Sequence, residues 1–123
     1  ALVEQYDMAD QVLFSSFDYR ILARLKELAP SIPAAVLYEP VQSARKGPLA
    51  VVNSLQADGF NCSVREYSEQ WQQELTQSSI PVLIYTINER EQMAELIQRG
   101  VQGIFSDYPD VLAEVAAEEL STP

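Results

Sequence analysis

The stretch Pro81-Val82-Leu83-Ile84-Tyr85-Thr86-Ile87-Asn88, followed by Gly100-Val101-Gln102-Gly103-Ile104-Phe105-Ser106-Asp107-Tyr108-Pro109, frames the clearest β-α-β unit of the chain. Residues Pro81 to Ile87 are almost continuously apolar, as a parallel strand covered on both faces requires. Asn88 stands where an N-cap belongs, and Glu91 three residues later completes a capping-box-like start. Met93, Leu96 and Ile97 form the buried stripe of the predicted helix, and Gly100 is a natural C-cap. Gly103 to Ser106 reads as the next strand. Pro109 falls in the first turn of a last helix with the apolar face Val111, Leu112, Val115, Ala116 and Leu120.

Working outward, the same alternation recurs toward the N-terminus. Val12 to Ser16 reads as a short buried strand. From Asp18 to Ala29 the period changes, with Ile21, Leu22, Leu25, Leu28 and Ala29 on one helical face. Pro30 ends that helix, because the residue before a proline is pushed out of the α region. A second strand is expected over Ala34 to Glu39, then a loop from Pro40 to Pro48. A short helix over Leu49 to Asp58, stopped by Gly59, precedes a weaker strand, Phe60 to Val64. A further helix runs from near Ser68 to Thr76. Repeated β-α units imply an α/β fold with a parallel sheet and right-handed crossovers. Four or five strands suit a small open sheet or part of a (β/α) barrel, and periodicity alone does not separate these.

The length of 123 residues suits a single domain or fragment, 1–123. A globule of this size buries roughly two-thirds of its unfolded surface, enough for a real core. No apolar run approaches the ~18 residues needed to span a bilayer. No Met precedes Ala1-Leu2-Val3-Glu4, so the chain is expected to be cut from something longer. Eighteen acidic against eight basic residues give a net charge of −10. Such a surface repels nucleic acid and anionic membrane, which are bound through clustered Lys and Arg. The single cysteine, Cys62, has no intramolecular disulfide partner, which points to a reducing, cytoplasmic setting.

In parallel β-α architectures, functional groups collect where strands end and helices begin. The polar residues at those points are Ser15, Ser16, Asp18, Glu39, Thr86, Asn88, Ser106 and Asp107. Rim carboxylates suit Mg²⁺ or Ca²⁺, which prefer oxygen ligands. For Asp18, Asn88 and Asp107, helix capping outweighs ligation, whereas Glu39 caps no evident helix. Phe17 and Tyr85 are aromatic rings at strand ends, with core packing the competing role. Trp71 reads as packing. Arg45-Lys46-Gly47 offers two cations beside a glycine, a weak signal for phosphate. The chain has no histidine, so a Ser-His or Cys-His nucleophile is excluded.

Ser15-Ser16-Phe17-Asp18, the strand ending Leu37-Tyr38-Glu39 after a proline, Tyr85-Thr86-Ile87-Asn88, and Gly100 to Pro109 together resemble the C-terminal half of glycerophosphodiester phosphodiesterases. Order and spacing match across nearly the whole chain; Gln102 and Ser106 depart from the usual acidic residue and threonine, and Gln42 to Gln70 is only loosely similar. The resemblance implies a partial, half TIM barrel, completed by a missing N-terminal half or by dimerisation. It implies hydrolysis of glycerophosphodiesters to an alcohol and glycerol phosphate, a step in phospholipid metabolism. It also implies that two catalytic histidines and the metal carboxylates lie on strands before Ala1. This chain is therefore expected to be inactive alone and to supply no catalytic residue. It is expected to bind no metal by itself, although Mg²⁺ or Ca²⁺ is implied for the complete enzyme. What carries over is a substrate-binding wall: Ser16, Phe17, Glu39, Tyr85 and Asn88. The expected partners are the other half-barrel or a second copy, and a small phosphodiester in the complete enzyme. The alternative is a non-catalytic half-barrel scaffold or binding module, homodimeric.

Overall fold

The computed structural model describes residues 2–121; Ala1, at which the sequence opens, lies outside the described residues. Five strands, β1 (Phe14–Ser16), β2 (Ala34–Leu37), β3 (Gly59–Ser63), β4 (Val82–Tyr85) and β5 (Gly103–Ile104), form one sheet in chain order. Helices alternate with them: α1 (Leu2–Gln5), α2 (Tyr19–Leu28), α3 (Pro48–Leu55), α4 (Glu69–Gln77), α5 (Arg90–Gln98) and α6 (Pro109–Leu120). This is the α/β class with a parallel sheet that the alternation implies. The strands are shorter than the apolar runs that suggest them. The short α1 and a 3₁₀ turn at Ala9–Gln11 carry no strong periodicity and escape the sequence reading. The chain forms two compact units that divide between Phe60 and Asn61.

In the first unit, β1 and β2 pair in parallel with Phe14 opposite Ala34 and Ser16 opposite Val36. Ala34, Ala35 and Val36 are fully buried, so β2 is covered on both faces, and small side chains let the layers approach. Helix α2 packs on both strands through the buried Leu22. It starts as expected: the Asp18 carboxylate accepts the Arg20 N–H at 2.9 Å. Helix α3 ends earlier than Asp58, at Gln56, which adopts a left-handed φ of 53°. The cause lies beyond the helix. The Asp58 N–H donates to Ala34 O at 2.7 Å, and the Asp58 carboxylate accepts from Ala34 N–H and Lys26 Nζ, both at 2.8 Å. Asp58 is thereby committed to the strand β2, and Gly59 begins β3 instead of stopping a helix.

In the second unit, β4 pairs with β5 in parallel, Leu83 opposite Gly103 and Ile84 opposite Ile104. A Cβ on Gly103 would lie 3.0 Å from Leu83 Cγ, so a larger residue would require the Leu83 side chain to shift. Helix α4 is capped by Ser68 Oγ, which accepts from Trp71 N–H at 3.1 Å. Helix α5 is followed by Gly100 at φ 86°, the left-handed position that glycine tolerates best. Helices α5 and α6 pack together, and Arg90 bridges them to Glu114 and Glu118 at 3.0 and 3.3 Å. The core holds Leu75, Ile84, Ile87, Met93 and Leu96. Two buried groups on β3 stand apart from this apolar set. Asn61 is fully buried, and neither atom of its amide has a partner among the described residues, a desolvation cost of about 1–3 kcal/mol. Cys62 is also fully buried; burial first, and the nearby Glu66 carboxylate second, push its thiol up to about 12.

Candidate functional site

In the first unit the rim is built from the β1–α2 turn and the loop after β2. Ser16 Oγ accepts the Asp18 N–H at 3.0 Å, which bends the chain directly after the strand. Asp18 then caps α2 and pairs with Arg20 at 3.1 Å. The hydrogen bond from the Arg20 guanidinium holds the Asp18 carboxyl below the usual carboxylate range. Between them the Phe17 side chain is 49% exposed, so it is a rim ring and not a core one.

Glu39 lies at the start of the second rim loop, and its carboxylate has a local task. It accepts the Gln42 N–H at 2.6 Å, closing the turn. Its backbone N–H donates to the Tyr19 hydroxyl at 3.0 Å. Gln42 then reaches across to the first loop. Its Nε2 donates to Phe17 O at 2.6 Å, and its Oε1 accepts the Tyr19 N–H at 2.8 Å. Ser16, Phe17 and Glu39 therefore belong to one hydrogen-bonded rim. A hollow of about 420 Å³ is lined by Asp18, Tyr19, Arg20 and Gln42. The loop cations do not line it: Arg45 and Lys46 are exposed, and neither side chain forms an ion pair among the described residues.

The second unit has its own rim at the ends of β4 and β5. The expectation that Asn88 caps α5 is not met, since the N-cap residue is Glu89 and no side chain caps the helix. Asn88 instead spans to the segment after β5. Its Oδ1 accepts from Asp107 N–H at 2.9 Å and Ser106 Oγ at 3.2 Å, and its Nδ2 donates to the Asp107 carboxylate at 3.0 Å. Asp107 likewise caps nothing, because Tyr108 precedes α6 without a side-chain cap. A capping box needs only local sequence, whereas Asn88 is claimed by partners nearly twenty residues away. Tyr85 meets Phe105 edge to face, ring centroids 6.4 Å apart, and Phe105 is 42% exposed. Phe105 and Gln42 are the rim residues that sequence reasoning missed. Phe105 sat inside a recognised motif and was signalled by its place after a strand; Gln42 had no local signal.

A hollow of about 640 Å³ in this unit is elsewhere, lined by Tyr67, Glu69, Gln72, Gln73, Glu95 and Arg99. Arg99 lies 4.7 Å over the Tyr67 ring and donates to Gln72 Oε1 at 2.7 Å and Tyr67 O at 3.2 Å. Burial raises the Tyr67 phenol above its usual range, against the opposing pull of Arg99. These contacts tie the end of α5 to α4 and bring in none of the rim residues. Trp71 is half-buried on α4, on the packing side of the alternatives.

The residues present do not make a divalent-metal centre. Among the described residues no three of His, Cys, Asp and Glu come together as ligands. The rim carboxylates have other tasks: Asp18 on Arg20, Glu39 on Gln42, Asp107 on Asn88. No helix among the described residues is long and apolar enough to cross a membrane.

A parallel five-stranded sheet with alternating helices, whose strand ends carry exposed aromatics and clasped polar side chains, defines an α/β scaffold. The sequence matches the glycerophosphoryl diester phosphodiesterase family over residues 2–111, and the chain belongs to that family. It corresponds to the C-terminal half of the barrel domain. It is 29% identical over 119 residues to an uncharacterised Bacillus subtilis protein, YqiK, covering 95% of this chain and 48% of that protein. It is 27% identical to a glycerophosphodiester phosphodiesterase of Bacillus altitudinis, covering 94% of this chain and 47% of that enzyme. An Oleispira antarctica phosphodiesterase, solved in complex with the product sn-glycerol-3-phosphate, superposes with a TM-score of 0.76 at 24% identity, over 94% of this chain and 49% of that one. The structural neighbours are TIM barrels. The chain thus spans about half the length of the relatives it matches.

Proposed function

We propose that this chain is the substrate-facing wall of a glycerophosphodiester phosphodiesterase, and that hydrolysis takes place only in the complete barrel. The observation that carries the reading is the family match over residues 2–111 in a sequence that contains no histidine. In the reaction, water adds to phosphorus and the ester bond to the alcohol breaks, leaving glycerol phosphate. The attacking water must lose a proton and the leaving alkoxide must gain one. The chain holds no histidine, the side chain that titrates nearest neutral pH, so we assign both tasks to the other half of the barrel. A divalent metal would polarise the phosphoryl oxygens there; its ligands are not among the residues described above.

The roles left to this chain are positioning and exclusion of water. Phe17 and Tyr85, the latter backed by Phe105, offer apolar faces to the carbon skeleton of the substrate. Ser16 and Asn88 fix the turns that carry those rings, and Glu39 braces the loop beside Phe17. Assaying glycerophosphocholine with Mg²⁺ or Ca²⁺ tests the reading in two arms. The chain alone is expected to release no glycerol phosphate, and the same chain joined to its N-terminal half-barrel is expected to release it. Metal-dependent release by the chain alone would overturn the assignment. Silence of the joined protein, together with a stable dimer in light scattering, would favour the non-catalytic half-barrel module.

A further inference from the structure

Phe17 protrudes from a turn between β1 and α2, and its backbone is held by a residue far along the chain. The Gln42 carboxamide meets Phe17 O at 2.6 Å and Tyr19 N–H at 2.8 Å, so its two ends bracket the backbone of the turn that carries the ring. A primary amide donates and accepts at once from one rigid plane. The other polar groups of the turn are already engaged: Asp18 N–H on Ser16 Oγ, and Arg20 N–H on the Asp18 carboxylate. Gln42 is itself pre-set, because Glu39 Oε2 holds its backbone N–H at 2.6 Å. The neighbouring Ser43 is buried, with its Oγ donating to Pro40 O at 3.0 Å, which anchors the loop.

We infer that Gln42 is a positioning residue for the substrate wall, clamping the β1–α2 turn so that the Phe17 ring is held at one place on the rim. The inference rests on the proposed role of Phe17 beside the substrate. A plainer role exists: Tyr19 N–H is one of the donors that every helix start leaves without an intrahelical partner, and Gln42 satisfies it. The two roles use different ends of the amide. Capping needs the oxygen on Tyr19 N–H; clamping Phe17 needs the Nε2 donor. Gln42→Glu separates them. A carboxylate keeps the acceptor, and the positive end of α2 favours it. It cannot donate to Phe17 O, and sets like-charged oxygens against the Phe17 carbonyl.

Both hydrogen bonds are exposed to solvent, so their loss is expected to leave the melting temperature of Gln42→Glu within a few degrees of wild type. Misplacing a binding group still costs catalysis. In the complete barrel, Gln42→Glu is expected to raise KM for glycerophosphocholine about tenfold, with kcat nearly unchanged. Gln42→Ala is expected to do the same. Wild-type KM in Gln42→Glu would overturn the inference, since the capping role alone survives that change. A second readout uses backbone relaxation by NMR on the chain itself. The Phe17 and Asp18 amides are expected to move from the rigid range, near 0.85, to below about 0.6 in Gln42→Glu. Unchanged order in that variant would equally overturn the inference. If the wild-type complete barrel releases no glycerol phosphate, the proposed function falls, and this relaxation arm still decides the clamp.

Discussion

The two rims are fixed by the same kind of side chain used in different ways. In the second unit Asn88 is a short amide between neighbouring strand ends, with three hydrogen bonds to Ser106 and Asp107. In the first unit Gln42 reaches from a long loop back to the backbone of Phe17 and Tyr19. The Asn88 clasp joins the segments that follow two paired strands, so its removal is expected to cost stability. The loop clamp is attached from outside, so removing it loosens a turn while the core stays intact. Aromatic exposure follows the same division. The Tyr85 ring is braced edge to face by Phe105, and the Phe17 backbone carbonyl is held by Gln42.

Substitutions that separate the two rims follow from this contrast. The largest loss of stability is expected for Asn88→Ala, about 2 kcal/mol in urea unfolding, because it removes three hydrogen bonds at once, the one to Ser106 part-buried. A loss as small as that of Gln42→Ala would erase the distinction between clasp and clamp. In the first unit Asp58→Ala removes the acceptor for Ala34 N–H and the partner of Lys26, and is expected to cost about 1–2 kcal/mol. Asp18→Ala is expected to lower the melting temperature by a few degrees through loss of the α2 cap. The Asp18 carboxyl is held below its ordinary value, so its contribution is fully present above the usual aspartate range. It is lost as the pH falls through the lowered value; a melting temperature indifferent to acid in wild type, relative to Asp18→Asn, would contradict this. The smallest global effect belongs to Gln42→Glu, whose signature is local order and KM.

Much of the scaffold is written in short-range signals. The apolar run of β4, the caps Asp18 and Ser68, and Gly100 at a left-handed φ all act within a few residues of themselves. Those features are legible because their physics is local. Asn88 has the chemistry of a cap and the sequence neighbours of one, yet its partners come from the next β-α unit. Asp58 ends a helix early because Ala34, distant in sequence, claims its backbone and its carboxylate. Gln42 lies in the least regular loop, where no period reveals direction. The rim positions missed or reassigned are those whose deciding contacts bridge about twenty residues or more.

Cys62 gives this scaffold a clock. The chain holds one thiol, fully covered on β3 and kept protonated well beyond neutral pH. An alkylating reagent therefore has a single target and reaches it only when the strand opens. At saturating reagent and mildly alkaline pH, the labelling rate counts openings of the sheet's middle strand one molecule at a time. Docking of another half-barrel onto the sheet would register as slower labelling, with no probe attached and no residue changed.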